Sequence, residues 1–180
     1  MRTSLILAIA ACSNARIGAP DAPLGAHIAD APLTGIDGTT SSIDADLAVP
    51  LRIVVLNEVS AQSDPDWIEI VNATTEPLDT SQFIFIDKAG DFDKAVPLPL
   101  GTIGPGELAT VDCDGGSAVP FKLGSGEEVW IYRASDHALS DGTTWMVGQS
   151  PDGGSYARIP DTFGPFTTTM HPTKGEPNEP

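Results

Sequence analysis

The sequence predicts an all-β fold, an antiparallel β-sandwich preceded by a disordered tether, and three observations predict it. From Leu51 onward, short runs rich in β-branched and aromatic residues recur at regular spacing. Glycine and proline punctuate those runs, and 18 of the one with 16 of the other argue against long helices. From residue 13 to residue 50, by contrast, the chain is mostly Ala, Asp, Gly, Pro, Thr and Ser, with no aromatic residue. Such a composition cannot bury enough apolar surface to offset the entropy of ordering the chain.

Taken in order, residues 1–11 have the shape of an export signal. Met1-Arg2-Thr3-Ser4 is a short positive start, and Leu5-Ile6-Leu7-Ala8-Ile9-Ala10-Ala11 is an apolar run. Ile9-Ala10-Ala11-Cys12 resembles the bacterial lipobox, in which small residues let a peptidase bind the chain extended beside the scissile bond. Cys12 is therefore the expected lipidation site. Plain secretion is the alternative, and Ser13 after the cysteine resembles the pattern of outer-membrane sorting. Residues 12–50 are the tether, and residues 51–180 form the domain. His27 lies in the tether with no ligand-type partner nearby.

Within the domain, Leu51–Ser60 and Trp67–Asn72 read as two strands joined through Ser63-Asp64-Pro65, each carrying one glutamate, Glu58 and Glu69. Phe83-Ile84-Phe85-Ile86 is a third strand. Pro97 and Pro99 place the following stretch in a connection, because proline has no amide hydrogen to give a central strand. Leu108–Cys113, Phe121-Lys122-Leu123 and Glu127–Arg133 come next. Leu139–Trp145 contains a turn-like Ser140-Asp141-Gly142, Tyr156–Ile159 is the expected last strand, and His171–Pro180 is a polar, proline-rich tail.

These motifs, in this order, resemble the lamin-tail domain of exported bacterial proteins. The resemblance is carried by Leu56-Asn57-Glu58-Val59, Trp67-Ile68-Glu69-Ile70-Val71-Asn72 and Leu78-Asp79-Thr80-Ser81-Gln82-Phe83. It continues in Gly104-Pro105-Gly106-Glu107-Leu108 to Asp112, in Phe121-Lys122-Leu123-Gly124-Ser125-Gly126-Glu127-Glu128-Val129, and in Gly154-Ser155-Tyr156-Ala157-Arg158-Ile159-Pro160-Asp161. Gln82-Phe83 stands where the family has Gly-Trp, and Ala157 where it has glycine. The resemblance implies an immunoglobulin-like sandwich over residues 51–180. It implies a fold and no single activity.

Composition narrows the function. A hydrophobic fraction of 41% suffices for one core in 180 residues, while no apolar stretch reaches the ~18 residues of a membrane span. Nine basic against 25 acidic side chains give a formal charge of −16, which repels phosphate backbones, so no direct nucleic-acid partner is expected. Cys113, between Asp112 and Asp114, is a poor nucleophile because flanking carboxylates raise a thiol pKa. His137 and His171 read as surface histidines beside no nucleophile. No catalytic residue and no cofactor are expected.

The loop aspartates Asp64, Asp66, Asp87, Asp91, Asp93, Asp112 and Asp114 lack the spacing of a calcium loop, and they read as solvated rather than as a metal site. Asn72-Ala73-Thr74 reads as a turn rather than a glycan acceptor, and Trp67, Trp130 and Trp145 as packing. By strand alternation Trp67, Glu69 and Val71 share one face and Ile68 and Ile70 the other. Both faces are mostly apolar, so Glu69, and Glu58 beside it, are expected to leave water and to need a partner. Arg158 is the expected one, an architectural ion pair tying the last strand to the first two. The expected function is a non-enzymatic, envelope-anchored binding or structural module whose partner, a protein or glycan, the sequence leaves open. An accessory subunit of a secreted hydrolase or nuclease and a calcium-dependent adhesin or carbohydrate binder are the alternatives.

Overall fold

The computed structural model describes residues 49–179. The export signal, Cys12, His27 and all but the last two tether residues lie outside the described residues. The strands are β1 (Val54–Ser60), β2 (Asp66–Asn72), β3 (Leu78–Asp79), β4 (Phe83–Ile86), β5 (Val96–Pro97), β6 (Thr102–Ile103), β7 (Leu108–Cys113), β8 (Glu127–Arg133), β9 (Leu139–Trp145), β10 (Ser155–Arg158) and β11 (Phe166–Thr169). All their pairings are antiparallel. A five-stranded sheet in the order β11-β10-β1-β2-β7 packs on a four-stranded sheet in the order β5-β4-β8-β9, and β3 pairs with β6 alone. This is the expected all-β sandwich.

The core lies between the two sheets. Val54, Leu56, Val59, Ile68, Ile70 and Val111 come from the larger sheet, and Phe83, Phe85, Val129, Ile131 and Trp145 from the smaller. Each such side chain, taken fully out of water, contributes roughly 1.5–3 kcal/mol. Alternation selects them: Val129 and Ile131 point inward from β8, while the residues between them are half-buried. Strands β1 and β2 break that rule, since all seven residues of each are buried. They sit in the middle of their sheet, with the core under one face and the C-terminal segment over the other.

Four local expectations are corrected. Ser140-Asp141-Gly142 lies within β9, where the register shifts between Ile131 and Tyr132 of β8. Gly142 is there because a Cβ would stand 2.5 Å from the Trp130 ring and 2.7 Å from the Val129 carbonyl. Phe121-Lys122-Leu123 forms only a single bridge, Lys122 to Asp114. Tyr156–Ile159 is not the last strand. After β10 the chain turns through Pro160–Pro165, pairs again as β11, and then crosses back over the sheet. Pro97 does enter a strand, but one at the sheet edge, where no amide hydrogen is required of it.

Candidate functional site: a covered carboxylate cluster

Glu58 and Glu69 stand directly opposite each other in the β1–β2 register. A β-bulge between Leu56 and Glu58 makes this arrangement. The extra residue, Asn57, lets Leu56 and Val59 both face the core although they are three apart. It also turns the Asn57 amide toward Glu69 and Asp161. Both carboxylates are fully buried. Like charges directly opposite in a sheet repel, so the surroundings must compensate them.

The compensation comes from neutral donors, and most of these sit on the C-terminal segment. Thr173 donates its amide to both oxygens of Glu58 at 3.3 Å and places its hydroxyl 3.0 Å from Oε2, and Ser155 donates its hydroxyl to Oε1. Glu69 accepts the Asn57 side-chain amide at 3.0 Å and the Gly175 backbone amide at 2.7 Å. A third carboxylate, Asp161, accepts from Asn57 Nδ2 at 2.9 Å and from the Asn178 amide at 3.0 Å. Asn178 also donates to the Arg158 carbonyl at 3.0 Å. Residues 173–178 therefore form a strap whose polar groups reach three carboxylates.

No cation reaches these glutamates among the described residues. Lys174, in the middle of the strap, turns away to Asp112 at 2.6 Å, with its ammonium 5.6 Å from the centre of the Trp67 ring. Burial accordingly pushes the Glu69 carboxyl up to about 7. The bonds from Asn57 and Gly175 pull against this, and the neighbouring Glu58 and Asp161 add to it. Burial raises Glu58 as well, opposed by Ser155 and Thr173. For both groups desolvation outweighs the hydrogen bonds.

The expected pairing of Arg158 with Glu58 or Glu69 is not what forms. Arg158 instead grips Asp141 of β9 at 2.9 and 3.2 Å, the Leu56 carbonyl at 2.8 Å and the Gly164 carbonyl at 3.1 Å, with its guanidinium 4.4 Å over the Phe166 ring. The reason is parity. Ala157 is the residue opposite Glu58, and Ser155 reaches the same carboxylate, so Arg158 points to the other face with Tyr156. Gly164 comes close enough to receive it because it has no Cβ, which would stand 2.1 Å from the Ile159 carbonyl.

Asp141 is itself buried and also accepts the Leu56 amide at 3.1 Å, while Arg52 approaches at 3.7 Å. The pair ties β9 of one sheet to β1 and β10 of the other. The neighbouring Ser140 hydroxyl bonds both the amide and the carbonyl of Val54.

Elsewhere the candidate groups are separated. Cys113 is buried, and desolvation, with the charges of Asp66, Asp112, Asp114 and Asp87 behind it, pushes its thiol up to about 12. His137 is exposed and stacks on Phe92 at 3.9 Å, and His171 is exposed at the head of the strap. Asp66 accepts the Leu123 amide, Asp91 pairs with Lys94 and Asp112 with Lys174, while Asp87 and Asp93 line an open cleft. Among the described residues no group of three or more His, Cys, Asp or Glu side chains is placed to hold a metal ion. Asn72 is buried, holding Thr74 through its Oδ1 and the Glu76 and Ile103 carbonyls through its Nδ2, as a turn does.

Sequence reasoning missed Asp141, Asp161, Asn57 and the strap residues Thr173, Gly175 and Asn178. Only Asn57 carries a local signal, a polar residue beside a glutamate in an apolar strand. No protein-family model matches the chain, and no curated protein sequence matches it either.

Proposed function

We infer that the chain is a non-enzymatic binding or structural module held at the bacterial cell envelope by a lipid on Cys12, with a domain of lamin-tail type. The observation that carries this reading is where the reactive groups go. The buried carboxylates are covered by the strap, the buried Arg158–Asp141 pair joins the two sheets, and the thiol is shut in the core. None of the three is open to a substrate from solvent. What remains for a partner is surface, including an open cleft of about 480 Å³ lined by Asp87, Asp93, Lys94, Val96, Pro120 and Phe121. Its lining combines apolar groups, Val96, Pro120 and Phe121, with the charged Asp87, Asp93 and Lys94.

Acyl labelling of the full chain tests the anchor: labelled fatty acid enters the protein and disappears in Cys12→Ala. Labelling that persists in that variant overturns it. Crosslinking from the cleft in intact cells tests the module. A photoreactive group at Phe121 is expected to capture an envelope component that the same group at Asp152, an exposed turn residue outside the cleft, does not capture.

A further inference from the structure

Three features of the carboxylate cluster have no role in the reading above. Two glutamates face each other out of water with neutral donors only. The groups that cover them belong to the 173–178 strap, which those carboxylates hold together with Asp112, Asp161 and the Asn57 and Arg158 carbonyls. And one hydroxyl has two acceptors: Thr173 Oγ1 lies 3.0 Å from Glu58 Oε2 and 2.6 Å from Asn178 Oδ1. The Asn178 amide nitrogen is already turned to the Asn57 and Arg158 carbonyls, so its oxygen must face Thr173. A single hydroxyl proton satisfies only one of the two contacts. A proton on Glu58 satisfies the other, donated from the carboxyl to Thr173 Oγ1.

We propose that Thr173–Asn178 is a pH-gated strap, docked while the Glu58–Glu69 pair holds a proton and released as the pair ionises. The groups facing the pair from each element are these. From β1 come Asn57 and from β10 Ser155, both neutral. Thr110 of β7 is opposite Glu69. Asp161 follows β10 and adds negative charge. The strap contributes neutral donors, while Lys174 is turned to Asp112 and Glu176 is exposed. Arg158 is engaged by Asp141 on the other face. The net field on the pair is negative, so loss of the proton leaves three carboxylates, Glu58, Glu69 and Asp161, under a neutral cover, and lifting the cover lets water reach them.

The sign follows. Docking buries the carboxyls and raises their affinity for a proton above that of the open state, so docking is complete below about 4.5 and weakens as pH rises through about 7. With those limits for Glu69, the open fraction grows roughly 50- to 100-fold between pH 5 and pH 8.

The test is amide hydrogen exchange on the full chain, corrected for the intrinsic rate at each pH. Protection of Thr173, Gly175 and Asn178 is expected to fall by that factor from pH 5 to pH 8, and to stay below that of Phe85 and Ile131 in the other sheet at every pH. In Glu69→Gln the fall shrinks to less than about 5-fold. Histidine changes charge in the same window by its ordinary chemistry, so His171→Gln is included and is expected to leave the fall intact. If Glu69→Gln does not fold, Glu58→Gln serves in its place. Strap protection that stays level in the wild-type chain, that falls as far in the glutamate-to-glutamine variant as in the wild type, or that is abolished as a pH response by His171→Gln overturns the proposal.

Discussion

Two acidic centres are shut away from water beside strand β1, and they are compensated in opposite ways. Asp141 is met by a guanidinium that also bonds two carbonyls and lies over an aromatic ring. Glu58 and Glu69 meet hydroxyls, a carboxamide and backbone amides, with no cation among the described residues. The first centre joins two sheets through a permanent charge, because arginine does not lose its proton in a protein. The second joins a terminal strap to one sheet through groups whose charge depends on pH. A buried carboxylate is thus tolerated either with a counter-ion or with a proton, and the choice decides whether the fold around it responds to acidity.

The comparison breaks most visibly at the arginine. Arg158→Ala leaves buried Asp141 with only the more distant, partly exposed Arg52 at 3.7 Å, and the expected cost is ~3 kcal/mol in urea denaturation. Arg158→Lys keeps the charge but not the planar array of donors, so it is expected to recover only part of that loss. A loss below ~1 kcal/mol for Arg158→Ala would mean the two centres do not differ as described.

At the glutamates the expected effect is a slope. A carboxyl whose folded-state pKa is raised contributes stability that is whole below the ordinary 4.5 and is lost as pH rises through the folded value. Between these limits Glu69 alone accounts for ~3 kcal/mol. Stability of the wild-type chain is therefore expected to fall from pH 5 to pH 8, and Glu69→Gln to flatten most of that fall. A wild-type profile that is level, or that rises with pH, contradicts the assignment.

Smaller effects sharpen the contrast along the strap. Thr173→Ala removes the hydroxyl shared between Glu58 and Asn178 and is expected to cost ~1–2 kcal/mol. Lys174→Ala removes a solvent-exposed pair with Asp112 and a cation over Trp67, and is expected to cost well under ~1 kcal/mol in calorimetry. A Lys174 effect as large as that of Arg158 would place the strap's hold in its ammonium instead of its neutral donors.

The sandwich was legible because its strands declare themselves locally. Phe83–Ile86, Leu108–Cys113 and Glu127–Arg133 appear with the boundaries their composition suggests. That Glu58 and Glu69 leave water was also legible, because Trp67-Ile68-Glu69-Ile70-Val71 is apolar on both faces and such a strand is covered twice. What covers the second face was not. Thr173-Lys174-Gly175-Glu176-Pro177-Asn178 has the composition of a solvated tail, and it docks through backbone amides, which every sequence carries.

The identity of the arginine's partner was hidden for a different reason. One residue of register separates the face of Glu58 from the face of Asp141, and no local pattern sets the register of two strands about 100 residues apart. Asp141 was concealed further by Gly142, whose turn-like signal arises from the approach of the Trp130 ring.

The central claim, that the glutamate pair is neutralised by a proton, is tested most directly by following the side-chain carboxyl carbons of Glu58 and Glu69 by NMR from pH 3 to pH 9. The two titrate as a pair. An upper step near 7, sensed at Glu69 and moving together with the amide shifts of Thr173 and Gly175, is the expected result. Two steps complete by pH 5, with the strap amides unmoved above that, would contradict it.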